Sequence, residues 1–237
     1  MSISWLTPDM TSLLLRGLWL TISLTLLSSI LSLIVGIGTA TLRTSRKRWL
    51  RVIGTLHVEI HRNIPALVLI LFWAFAVPNL FPIMVRQELF FANPIIRSLE
   101  SITGLSLIYY AFAVTLALTL NTSAYIAEIF RAAVGTLPRE HVDSAKTLGA
   151  SAWQSYWSIL LPQGLRVAMP AIATRLVHNM KNTSLASFVS VPELFHSTQT
   201  GITRSFRAFE FLLLAAAIYL ILSCCFAEFL RWCANRL

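Results

Sequence analysis

The chain has 237 residues, of which 56% are hydrophobic and only 12% charged, whereas a soluble domain usually carries about a quarter charged residues. The net charge of +9 does not point to nucleic acid, because the basic residues are scattered among apolar runs with no basic helix or aromatic-interleaved patch. With a mean hydropathy of +0.71, the composition is that of a protein that crosses a membrane several times.

A spanning helix needs about 20 mostly apolar residues. In chain order, five segments qualify: Leu13–Leu42, Pro65–Phe81, Leu105–Phe130, Val167–Val191 and Phe209–Trp232. The first is too long for the apolar core of a signal peptide and is expected to be retained. Inside it, Gly36-Ile37-Gly38 reads as small residues that let helices approach, not as a phosphate loop. After it come Arg43, Arg46, Lys47, Arg48 and Arg51. The central loop and its edges add Arg131, Arg139, Lys146 and Arg166, and the tail adds Arg231 and Arg236. Only Arg86, Arg97, Arg204 and Arg207 fall on the other side. The positive-inside rule then puts the N-terminus outside and the C-terminus in the cytoplasm. Residues 82–104 read as a short, partly apolar outer loop.

Ionisable groups within spans are expensive and by default mark a pathway. Opening the second span are Glu59, His61, Arg62 and Asn63, followed by Pro65, which allows a bend or a helix start. They serve either as a gate or as interfacial anchors. The third span carries Asn121, Tyr125 and Glu128 at helical spacing. The fourth carries Arg175, His178, Lys181 and Asn182, followed by Thr183 and Ser184. Two such stripes on neighbouring helices can line one cavity. Arg175 or Lys181, with the nearby amide and hydroxyls, suits a carboxylate, and Glu128 suits an ammonium group. Alternatively, Glu128 pairs with Arg131 and holds the bundle together, and Arg175 snorkels to the interface.

Between the third and fourth spans runs a polar elbow, residues 136–163. Pro138 suits a first helical turn, Gly149 a left-handed C′ position, and Ser151 with Gln154 a capping box that starts a second helix. Pro162 is expected to help end that helix. Cys224, Cys225 and Cys233 lack metal-ligand company and read as packing residues. No histidine spacing suggests a metal site, and no local sequence supports a catalytic nucleophile.

The elbow residues Asp143, Ser144, Ala145, Gly149, Leu161 and Pro162 resemble the "EAA…G…LP" loop of ABC importer permeases, with Asp-Ser in place of Glu-Ala. The flanks agree in order and spacing. "RNIPALVLILFWAFAVP", "AYIAEIFRAAVGTLP" and "KNTSLASFVSVPEL" resemble segments of the polar amino-acid permeases, so the resemblance runs from about Leu13 to the C-terminus. It implies an all-α, polytopic transmembrane domain of the type I importer (MetI-like) kind, in a bacterial inner membrane. It also implies a cytoplasmic ABC ATPase dimer that binds the elbow as a coupling helix and holds the ATP and magnesium, so that this chain binds no cofactor and is no enzyme. A second permease subunit and a periplasmic binding protein that delivers an amino acid complete the expected assembly. The wording of the second span leans toward glutamate or aspartate. Two other functions compete: a self-sufficient channel or secondary transporter, which often shows an inverted repeat, and a membrane scaffold that recruits a cytoplasmic protein.

Overall fold

A computed structural model of the chain describes residues 7–236 except 46, 104–107, 139, 141, 142, 144, 146 and 148. The described residues are almost entirely helical and include no strand.

Helix α1 runs Pro8–Thr44, longer at both ends than its apolar run. Thr7 caps it by accepting from the Met10 N–H at 3.4 Å, and Pro8 and Asp9 occupy the first turn. A proline there loses no hydrogen bond, and an acid there opposes the helix dipole. Helix α2, Arg48–Asn63, and helix α3, Ala66–Asn79, meet at Ile64-Pro65 with a bend of 107°. Pro65 stands as the N-cap of α3. Within α3, Phe72–Ala76 forms a π turn.

Residues expected as an outer loop are instead helical. Helix α4, Ile83–Arg86, continues into a π turn at Gln87–Phe91, and helix α5 covers Pro94–Thr103. Pro82 and Asn93 precede these helices, and the Asn93 side chain accepts from the Ile96 N–H at 2.8 Å. Helix α6 is Ile108–Gly135. The elbow helix α7, Ala152–Ser155, passes through a π turn, Tyr156–Leu160, into α8, Leu161–Asn182. A 3₁₀ stretch, Thr183–Val189, leads to α9, Leu194–Ser205, and then to α10, Ala208–Ala234.

Helices α1, α6 and α10 are long and apolar enough to cross a membrane, and the bent α2–α3 pair qualifies together. Helix α8 has the length, with 22 residues, but carries Arg166, Arg175 and Lys181 and falls short in apolarity.

The core is built around α1 and α6. The buried face of α1 includes Gly17, Thr21, Thr25, Ser28, Ser32, Gly36 and Thr39 beside Leu14 and Leu24, a stripe rich in small residues that brings helix backbones together where lipid offers no hydrophobic drive. Their hydroxyls bond back to the helix's own carbonyls: Thr25 to Thr21 at 2.7 Å, Ser28 to Leu24 at 2.7 Å and Ser32 to Ser28 at 2.6 Å. Many large apolar side chains of α1 and α10, Trp19, Ile34, Leu220 and Ile221 among them, point outward, whereas Phe211 and Leu230 of α10 are buried. Cys224 and Cys225 share that outward surface and Cys233 is half-buried, which corrects the packing role expected of them. A helix with one buried face and 27 residues leaves most positions outside the interior.

Gly36 and Gly38 behave differently. A Cβ at Gly36 would lie 2.8 Å from Ile126, whereas one at Gly38 would meet nothing within 4 Å. Gly36→Val is therefore expected to lower stability by about 1–3 kcal/mol through overpacking, with Gly38→Ala neutral or stabilising. Thermal unfolding in detergent, followed by tryptophan fluorescence, separates them; equal midpoints would remove Gly36 from the helix contact.

Candidate functional site

The elbow is the most regular polar feature. Asp143 and Ala145 lie on helical backbone, while Ser144 lies outside the described residues. Gly149 has φ +87°, the left-handed conformation that glycine adopts without steric cost. The Ala150 N–H donates to the Ala145 carbonyl at 2.9 Å, the six-to-one bond of a Schellman helix end. The capping box forms as well: the Ser151 N–H donates to Gln154 Oε1 at 2.8 Å, and the Gln154 N–H to Ser151 Oγ at 3.2 Å. The Schellman bond and the capping box lie back to back, so the turn at Gly149 is held by hydrogen bonds on both sides. Trp153 and Trp157 project from it and meet edge to face at 5.3 Å.

Pro162 does not end the second helix, contrary to expectation. It occupies the first turn of α8, directly after the π turn. The wider i→i+5 turn breaks the α pattern just where a proline would otherwise clash with the preceding turn. Leu161, half-buried, packs into the core of α6 and α8.

The stripe expected on the fourth span divides. Residues three apart on a helix fall about 60° short of a full turn, so six residues accumulate about 120°. Arg175 consequently faces α6 and α2. Its Nη2 donates to Asn121 Oδ1 at 2.5 Å, and its guanidinium lies 3.8 Å above the Tyr125 ring. Asn121 Nδ2 donates to the His61 carbonyl at 2.7 Å and the Tyr125 hydroxyl to the Arg62 carbonyl at 3.1 Å. Beside them the His57 and His61 rings meet at a tilt of 37° with centroids 4.5 Å apart, and His57 Nε2 lies 3.0 Å from Ser123 Oγ. Arg175 has no carboxylate partner among the described residues, and its buried Nε has no hydrogen-bond acceptor.

His178 and Lys181 face the other way, into a groove of about 540 Å³ between α8 and α10 that Pro170 and Arg231 also line. Lys181 reaches a second groove, of about 300 Å³, with Ser184, Phe195 and Tyr219. Thr183 is buried and donates to the Met180 carbonyl at 2.6 Å, Ser184 donates to the Lys181 carbonyl at 2.8 Å, and Asn182 is half-buried.

Glu128 joins neither group. Arg43 of α1 holds one carboxylate oxygen at 2.6 Å and Arg131 the other at 2.5 Å. At the end of α2, Glu59 lies 3.9 Å from Arg62 and accepts from Asn63 Nδ2 at 3.1 Å, just before the bend at Pro65.

Two buried residues escaped the sequence reading. Asn179 accepts from Thr122 at 2.9 Å and donates to Ser28 at 2.8 Å, joining α8, α6 and α1. Glu193 is fully buried and caps α9 by accepting from the Phe195 and His196 N–H groups at 2.9 and 2.8 Å. It also accepts from the Tyr219 hydroxyl at 2.8 Å and from Thr21 at 3.3 Å. Burial pushes its carboxyl above the usual carboxylate range, and these donors pull against that shift. An Asx or Glx residue beside small hydroxylic positions on other spans was the available signal, but a single sequence does not show which spans touch.

Residues 28–236 match the family described as the binding-protein-dependent transport system inner membrane component. The chain is 30% identical over 207 residues to the histidine/lysine/arginine/ornithine transport system permease protein HisM of Salmonella typhimurium, covering 87% of this chain and 80% of that protein. It is 28% identical over 211 residues to the probable amino-acid ABC transporter permease protein PatM of Vibrio harveyi, covering 89% and 85%. In three dimensions it resembles a crystal structure of an amino acid ABC transporter with histidines, with TM-score 0.76, 22% identity and 100% of each chain covered. The methionine transporter MetNI in an inward-facing form follows, with TM-score 0.66, 19% identity and 97% and 96% coverage. Both solved structures carry the same all-α fold.

Removal of the Glu193 side chain takes away a helix cap and strands two hydroxyl donors. Glu193→Ala is expected to cost about 2 kcal/mol or more, read as a lower thermal midpoint in detergent. A midpoint within about a degree of the parent's would contradict the burial and bonding described.

Proposed function

The chain belongs to the family of binding-protein-dependent transport system inner membrane components, and we propose that it is the permease subunit of an ATP-driven importer of polar amino acids. The ATPase is a separate subunit in this family of ABC transporters, and this chain lies in the inner membrane. In our reading the chain crosses five times, with α8 as the least apolar crossing, its N-terminus outside and its C-terminus inside. The observation that carries the coupling role is the hydrogen-bonded turn of the elbow. A Schellman end and a capping box meet at Gly149, and Ala145 beside Asp143 leaves room for a close neighbour. A cytoplasmic ATPase dimer docks there. ATP binding there alternates access only if the ATPase binds one state of the bundle more tightly than the other. A partner permease subunit and a periplasmic binding protein complete the assembly.

For the cargo, the wall of α2, α6 and α8 supports the reading. Arg175 is a cation whose Nε has no hydrogen-bond partner, and an uncompensated charge within a membrane protein is costly unless a ligand meets it. A substrate carboxylate supplies what it lacks, while Lys181 and His178, with Ser184, line the separate grooves toward α10 as a second stretch of the proposed pathway, and Asn182 and Thr183 lie at its edge. Glu128, held by two arginines, serves better as a brace than as an ammonium contact. Cations without carboxylates fit glutamate or aspartate, whereas the relative HisM is named for basic amino acids. Glu59, Arg62, Asn63 and Pro65 form the hinge of the bent span and gate the same wall.

Reconstitution with the ATPase and binding protein that assemble with the chain tests both halves. Ala145→Trp and Gly149→Val are each expected to abolish ATPase capture; unchanged capture with substrate-stimulated hydrolysis would sink the coupling role. Lys181→Met and Arg175→Met are expected to cut uptake about tenfold or more with assembly intact, which corresponds to about 1.4 kcal/mol of lost interaction. Competition by lysine in place of glutamate would overturn the acidic-substrate reading.

A further inference from the structure

A polar contact fastens the second half of the elbow to the bundle. Tyr156 is buried at 7% exposure, and its hydroxyl lies 2.6 Å from Thr41 Oγ1 near the C-terminal end of α1. The direction of this bond follows from the threonine. Thr41 has a single hydroxyl proton, and that proton is committed to the Ile37 carbonyl at 2.9 Å. Tyr156 is therefore the donor and Thr41 the acceptor.

The backbone explains why this side chain, and neither tryptophan, turns inward. Tyr156 opens the π turn Tyr156–Leu160, and a wider i→i+5 turn shifts the faces of the two helical pieces it joins. Trp153 and Trp157 stay outside at 64% and 46% exposure. Six residues beyond the tyrosine Pro162 begins the last stretch, and at Gly164 a Cβ would lie 2.7 Å from Val134, so α8 starts in close contact with the end of α6. Two residues beyond Thr41, on the opposite side of α1, Arg43 is bound to Glu128 of α6 at 2.6 Å. The end of α1 is gripped on one side by the elbow and on the other by α6.

We propose that the Tyr156–Thr41 hydrogen bond is the positioning contact through which displacement of the elbow is passed to α1, with the Arg43–Glu128 pair carrying it on to α6. Tyr156 acts through α1 and touches neither nucleotide nor substrate. The proposal rests on the reading of the elbow as the ATPase-docking element.

The two partners differ in what their loss leaves behind. Tyr156→Phe removes a donor and leaves Thr41 bonded to Ile37, so the fold is little disturbed. Thr41→Val strands the tyrosine hydroxyl in a buried place, which costs more than deleting both partners. Thr41→Ser keeps the acceptor.

In proteoliposomes holding the permease, its ATPase and its binding protein, Tyr156→Phe is expected to leave ATPase capture intact and hydrolysis within twofold. Uptake should fall at least fivefold, so that more ATP is spent per solute. Thr41→Val should show the same uncoupling, the double variant no more than either alone, and Thr41→Ser parental coupling. Parental uptake by Tyr156→Phe would overturn the proposal, as would a parallel loss of capture, hydrolysis and uptake, which marks support of the fold alone. Ala145→Trp serves as the separate arm. If it still captures the ATPase, the docking reading fails, and that failure is distinct from any result at Tyr156.

Discussion

A chain surrounded by lipid gains little from burying one more leucine, since hydrocarbon lies on both sides of its surface. Its interior must be held by close approach and by polar groups that satisfy one another, and everything else in this structure follows from that constraint. The inner face of α1 accordingly differs from that of a helix in a soluble bundle. Its buried positions are mostly serine, threonine and glycine, with Leu14 and Leu24 among them, while Trp19, Leu27, Ile30 and Ile34 face outside. Hydroxyls that bond to their own helix cost nothing in the interior and leave the surface of α1 thin enough for α6 to lie against it.

On this frame, the stronger polar groups act as nodes between helices. Asn179 binds three helices and Glu193 binds α9 to both α1 and α10. Glu128 does the same at the elbow end. Each is met by enough partners to offset the loss of water. Arg175 is the exception, with an amide, an aromatic face and no anion. That contrast with the satisfied nodes separates the structural polar groups from Arg175, which we assign to cargo.

Much of the frame was legible from the sequence. Long apolar runs gave α1, α6 and α10, and the turn chemistry at Gly149, Ser151 and Gln154 gave the elbow with its hydrogen bonds. Local signals of that kind depend on neighbours a few residues away. What escaped depended on rotation and on distant partners. The polar residues of α8 were spaced by threes, which looks like a stripe but drifts around the helix, so Arg175 and Lys181 end on different sides. Pro162 read as a terminator because no local rule announces a π turn ahead of it. The segment 82–104 read as a short, partly apolar loop, yet proline and asparagine start two helices there.

The π turn at Tyr156–Leu160 makes the joint between elbow and span sensitive to length more than to composition. A side chain there can change size without altering which way the elbow faces. If the turn closed as ordinary α-helix with the same residues, everything before it would swing by about 100° around the axis of α8. The tyrosine would then leave α1, and the tryptophans would rotate toward the bundle. The joint behaves as a counted spacer, in which residue number sets the angle between the part that receives force and the part that moves.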